Sequence, residues 1–113
     1  MTSTDFDELS LLVVQWAHDR GIIKNSTALA QLKKTREEVD ELEKALEEHN
    51  VVETADAYGD ILVTLIIGAE IAGLDLITCL EEAYEVIKNR RGYLNQEGIF
   101  VKEESSGYDS DAE

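Results

Sequence analysis

The stretch ILVTLIIGAEIAG, Ile61 to Gly73, carries one charge, Glu70, in thirteen residues. A bilayer crossing needs about 20 apolar residues, so this run is too short to be one. It reads instead as the second half of a helix from Val52 to Ala72, stopped at Gly73. A short helix that is apolar on nearly every side is covered on nearly every side. One small helical domain has too little surface to do that alone. The run therefore predicts an oligomer in which this helix meets its copy.

Working outward, Asp5 to Arg20 places Phe6, Leu9, Leu12, Val13, Trp16 and Ala17 at steps of three and four. That is an amphipathic helix ending at Gly21. Asn25, Ser26 and Thr27 are N-cap residues for a helix from Thr27 to Glu48. Its apolar stripe is Leu29, Leu32, Val39, Leu42 and Leu46, and Asn50 interrupts the pattern. Downstream, Asp75 caps a fourth helix from Leu76 to about Tyr93. Gly98 to Lys102 is a brief apolar segment with no clear period. Four helical periods, no proline and no hairpin signal predict an all-α, four-helix bundle-like domain with short connections.

The chain has 113 residues, with 10 Lys+Arg against 25 Asp+Glu and a formal charge of −15. That balance excludes a binder of bare nucleic-acid phosphates or of an anionic membrane, because both need a cationic face. It leaves room for cations and for anions that arrive with cations attached. Residues 103–113, EESSGYDSDAE, hold five acids and no base. They are expected to be a disordered acidic tail behind a domain of residues 1–102. Cys79 is the only cysteine, and Met1 to Glu8 lacks a secretory pattern. The expectation is a reducing, cytoplasmic setting with Cys79 as an inert core thiol.

The acids are not scattered. Glu37, Glu38 and Glu41 share one face of the second helix by i, i+3 and i, i+4 spacing. Glu53, Asp56 and Asp60 do the same on the third. Asp60 directly precedes Ile61-Leu62-Val63, so it belongs near the buried end of its helix. If the two helices run antiparallel, Glu38 and Glu41 face Asp56 and Asp60. A cluster of hard oxygen donors suits Mg²⁺ or Mn²⁺. The bland alternative is a solvated acidic face paired with Lys33, Lys34, Arg36 or Lys44. The Glu-x-x-His pairs of di-iron bundles are missing, as are HExxH, Walker A, GxSxG and GxGxxG.

In order, the segments are QWAHDRGI (Gln15 to Ile22), AQLKKTREEVDEL (Ala30 to Leu42), DAYGDILVTL (Asp56 to Leu65) and AYEVIKNRRGYLN (Ala83 to Asn95). This array resembles the MazG-like all-α nucleoside triphosphate pyrophosphohydrolases of the short single-domain type, over roughly residues 9 to 102. The family motif is E-x-x-E, a spacer, then E-x-x-D. Glu38 and Glu41 match its first half, with Glu37 the usual preceding acid, and Asp60 matches its last position. The third acid departs from the pattern, because Ala57 stands three residues before Asp60 and cannot bind metal. Asp56 is the nearest substitute and Glu53 a further candidate.

The resemblance implies Mg²⁺-dependent conversion of an NTP or dNTP to the monophosphate and pyrophosphate. Glu38, Glu41, Asp56 and Asp60 would then be the metal ligands, and Glu37 or Glu38 the base. Lys34, Lys88 and Arg91 would contact phosphates, Arg90 less so. Trp16 would stack on the base, with Asn95, Gln31 and Tyr58 as further polar lining. Taken alone, Trp16 is more often a core residue, the basic element more often a helix C-terminal charge, and His18 a surface histidine. The expected assembly is a homodimer or tetramer. The alternatives are a catalytically impaired relative that binds nucleotide or a protein, and an acidic interaction protein that occupies a basic partner.

Overall fold

The computed structural model describes residues 5–103. Except for Glu103, the acidic-tail reading lies outside them. The order of elements is α1 (Phe6–Asp19), α2 (Ile22–Asn25), α3 (Ala28–Glu47), α4 (Val51–Ile71), α5 (Leu76–Ile87), β1 (Gly92–Leu94) and β2 (Phe100–Lys102). The chain is mainly helical, as its periods predict. It divides into two compact units, with the boundary inside α5 between Leu80 and Glu81.

Side-chain caps explain where α1, α3 and α4 begin. Asp5 accepts from Glu8 N–H, Thr27 from Ala30 N–H and Asn50 from Glu53 N–H, each satisfying an orphan donor of the first turn. The ends of α3 and α4 follow one design. At the end of α3, His49 N–H donates to the Leu46 carbonyl and Asn50 N–H to the Ala45 carbonyl. At the end of α4, Gly73 N–H donates to Glu70 and Leu74 N–H to Ala69. These are Schellman ends, which require a left-handed residue. Gly73 supplies it freely at φ 81°, whereas His49 adopts it at φ 56° with a side chain attached. The break expected at Asn50 is thus one reversal, in which the cap of α4 is also the last residue of the α3 stop.

Helices α3 and α4 form the principal packed pair, and α1 and α2 lie against α4. Two contacts give the direction of the pair. Thr35 Oγ1 meets Thr64 Oγ1 at 2.7 Å, and a Cβ on Gly68 would lie 3.4 Å from Gln31 Cβ. Four residues back on α3 is four residues on along α4, so the two are antiparallel.

The face that α3 turns inward differs from expectation. Its buried residues are Thr35, Glu38 and Ala45, while Leu29, Leu32, Val39 and Leu46 of the apolar stripe are exposed, Leu29 to 78 %. On α1 the buried residues are Ser10 and Ala17, while Phe6, Leu9, Leu12 and Trp16 stay open. Small side chains let the helices approach closely, and the large ones are left at the flanks. Nor is α4 covered all round: Ala57, Thr64, Ile66 and Ile67 are buried, but Leu62 and Leu65 are exposed. Among the described residues no large side chain is fully buried.

In the second unit, two expectations are corrected. The last helix ends at Ile87 rather than near Tyr93, and a hairpin follows it. Strands β1 and β2 pair antiparallel with Tyr93 opposite Val101. Asn95 organises the turn: its Oδ1 accepts from Glu97 N–H at 2.9 Å and from Ile99 N–H at 3.0 Å, and Gly98 takes φ 80°. Asn89 is a weak helix former, and the backbone from Gly92 onward bonds to the returning strand instead.

Candidate functional site

The Thr35–Thr64 contact sets the register of the carboxylates. One turn beyond Thr35 on α3 is Glu38, and one turn before Thr64 on α4 is Asp60. Glu38 is only 8 % exposed. Its Oε1 is buried without a hydrogen-bond partner, and its Oε2 lies 3.6 Å from Lys34 Nζ. Lys34 also lies 3.5 Å from Glu37 Oε1. Glu37 first, and Glu38 after it, raise the Lys34 ammonium above its ordinary range by stabilising the charged form. Part of the expected pairing of acids with lysines is therefore present.

Two of the remaining expected ligands border hollows of their own. Asp60 is half-buried and borders an apolar hollow of about 420 Å³ between α1 and α4, with Leu9, Leu12, Val13, Trp16 and Val63. Glu41 lines a different, polar hollow of about 390 Å³ with Lys44, Glu48, Asn50 and Glu53, beside the α3–α4 reversal. Asp56 is exposed, and the residue turned into the seam is its neighbour Ala57, 5 % exposed. Among the described residues no three His, Cys, Asp or Glu side chains converge as a ready metal site. The donors are all hard oxygens, and among the described residues the inner oxygen of Glu38 is the one buried side-chain oxygen without a hydrogen-bond partner, a need that a donor or a cation would meet.

Trp16 is not in the core. It is 43 % exposed, with the Arg20 guanidinium 4.6 Å from its ring centroid, an arrangement that holds the indole by cation–π attraction. Arg20 has no place in the motif-based reading, and its i, i+4 spacing from Trp16 was the available signal. That Lys44, Glu48 and Asn50 line one polar hollow with Glu41 and Glu53 was not legible, because it depends on the reversal that returns the chain at Asn50 beside α3. Gln31 is half-buried, and its amide donates to Ser26 Oγ at 3.1 Å. Tyr58 is exposed. His18 is exposed and lies 4.0 Å from Glu70, in keeping with a surface histidine. Cys79 is half-buried.

In the second unit, Lys88 pairs with Glu85 at 2.7 Å and Arg91 approaches Glu103 at 4.0 Å. Arg90 is exposed, and its N–H donates to the Ile87 carbonyl at 2.8 Å. Asn95 is committed to its own turn. No single helix among the described residues is long and apolar enough to cross a membrane. Compared with known proteins, the chain matches no family model, no curated protein and no solved structure at a significant level.

Proposed function

We propose that this chain is a Mg²⁺-dependent nucleoside triphosphate pyrophosphohydrolase that releases pyrophosphate from an NTP or dNTP, with Mn²⁺ able to substitute. The observation that carries the reading is Glu38: a carboxylate at the first E of the E-x-x-E motif, in a helix seam, with one oxygen buried and unpartnered. A folded chain keeps such an atom only at a cost of about 1–3 kcal/mol. A cation held there removes that cost. Glu38 is the first ligand in this reading, with Glu41 and Asp60 contributed by the two helices and Asp56 in place of the acid missing at Ala57.

When bound, Mg²⁺ supplies charge neutralisation for the triphosphate and a more acidic water. The protein's own part is positional. Glu37 is exposed beside Glu38 and can accept a proton from a nucleophilic water. Lys34 presents an ammonium at the same point. The hollow beside Trp16 offers an apolar wall and an aromatic face to a base. Phosphate contact by Lys88 and Arg91 stands on the family resemblance alone.

Leu29, Leu32, Val39 and Leu46, left open on α3, support assembly as a homodimer or tetramer, as do Leu62 and Leu65 on α4. An isolated chain with this much exposed apolar surface is poorly stabilised, and a second copy covers it.

Ala57 favours a second reading, a relative that binds nucleotide without hydrolysing it. The position turned into the seam carries a methyl group where the motif calls for a carboxylate. One experiment separates the two: each common NTP and dNTP is incubated with and without Mg²⁺ and the products are identified. Monophosphate and pyrophosphate, lost on Glu38→Ala, support the enzyme. Mg²⁺-dependent binding without turnover supports the second reading. Orthophosphate as the only product overturns the first.

A further inference from the structure

Lys34 stands one helical turn before Glu37 and Glu38 on α3, with its ammonium 3.5 Å from Glu37 Oε1 and 3.6 Å from Glu38 Oε2. The three side chains differ in environment. Lys34 and Glu37 are half-exposed, and Glu38 is nearly covered. A covered carboxylate needs both charge compensation and hydrogen bonds at each oxygen. Lys34 meets that need at the outer oxygen only. The inner oxygen, Oε1, is buried and has no donor. A lysine is a point charge on a flexible four-carbon stem, so it can neutralise a carboxylate and still leave.

We infer that Lys34 is a tethered counterion for Glu37 and Glu38, displaced when a divalent cation takes Glu38, and that this displacement sets the cation affinity. The inference rests on the reading of Glu38 as a metal ligand. A divalent ion approaching Glu38 meets the ammonium at a few ångströms. Their repulsion amounts to about a tenfold loss of affinity even under water-like screening. Lys34 therefore holds the site in a neutralised, low-affinity state until the ion arrives. It then frees an ammonium at the place where a polyanion would bind.

The test is calorimetric titration of the full-length protein with Mn²⁺ alone, without nucleotide. Lys34→Met is expected to bind about tenfold tighter than the native chain, and Lys34→Arg, which keeps the charge, within about twofold of it. Lys33→Met removes a neighbouring charge on the same helix and controls for the general field, so it too should stay within about twofold. Glu38→Gln should bind no ion at that site. Lys34 is half-exposed, so its variants should fold, and far-ultraviolet circular dichroism checks this; Lys34→Gln serves if Lys34→Met does not. If the native chain binds Mn²⁺ through Glu38 and neither Lys34→Met nor Lys34→Gln binds tighter, the counterion role is overturned and the metal reading stands. If Lys33→Met tightens binding as much as Lys34→Met, the effect is a general field and the inference is again overturned. If neither the native chain nor Lys34→Met binds Mn²⁺, or if Glu38→Gln changes nothing, the metal reading falls and takes the inference with it.

Discussion

The hydroxyls of Thr35 and Thr64 lie 2.7 Å apart in the buried seam between α3 and α4. Each also reaches a carbonyl of its own helix, Thr35 to Gln31 at 2.9 Å and Thr64 to Ile61 at 2.8 Å. Two protons thus serve three contacts, and the pair is coupled. Either single change, Thr35→Val or Thr64→Val, is expected to cost about 1 kcal/mol. The double change should cost less than the sum, with a coupling of about 0.5–1 kcal/mol in urea unfolding. Strict additivity would show that the hydroxyls do not bond to each other.

His49 holds a left-handed backbone, φ 56°, in a reversal whose counterpart at the end of α4 uses glycine. His49→Gly is expected to raise stability by about 1 kcal/mol, because the strain of a Cβ at positive φ outweighs the added chain entropy. Thermal melting at neutral pH measures it. A fall in melting temperature would mean that the imidazole makes a compensating contact.

Glu38→Gln separates the cost of an unpaired carboxylate from its use. In chelator, the neutral amide is expected to match or exceed the native chain in stability, by up to about 1 kcal/mol. In millimolar Mg²⁺ the order should reverse, since only the native chain gains stability by binding the ion. Melting curves that keep the same order with and without Mg²⁺ would argue against a metal at this residue.

Lys34 gives a pH signature. Its neighbours, Glu37 above all, raise its pKa above 10.5. A raised folded-state value means that the pair contributes fully below the unfolded-state pKa and is lost as pH climbs through the folded-state one. In chelator, the native chain should melt slightly above Lys34→Met at pH 7, and the gap should close only in strong alkali. The side chains are half-exposed, so the gap is small and should shrink further in high salt. A gap that closes near neutrality would point to a different group.

The open apolar stripe of α3 predicts the assembly. In sedimentation the native chain should run as a dimer or tetramer. Leu29→Glu combined with Leu46→Glu should shift it toward monomer, because like charges would face each other where apolar side chains meet. An unchanged mass would place the interface on another face.

Caps, stops and periods were legible in the amino-acid sequence because they are local. Thr27 lies within three residues of the N–H group it satisfies, and Gly21 and Gly73 stand just past the C-caps of the helices they end, whereas Asp5 and Asn50 read in the sequence as a start and a break and not as caps. The hairpin around Asn95 and Gly98 was not legible from the residues, because strands of three residues are too short to show a period. The carboxylate motif was equally readable as spacing. Which side of each helix turns inward was not. On α3 the apolar stripe and the Thr35–Glu38–Ala45 stripe both repeat every three to four residues, and the period cannot rank them. Tertiary packing chose the smaller side chains, which let α3 and α4 approach closely enough for their hydroxyls to touch. That choice buried Glu38, sent Asp56 to the surface in favour of Ala57, and left the leucines open. Local free energy along one chain determines where helices begin and end, whereas the burial of any one carboxylate depends on the helix packed against it.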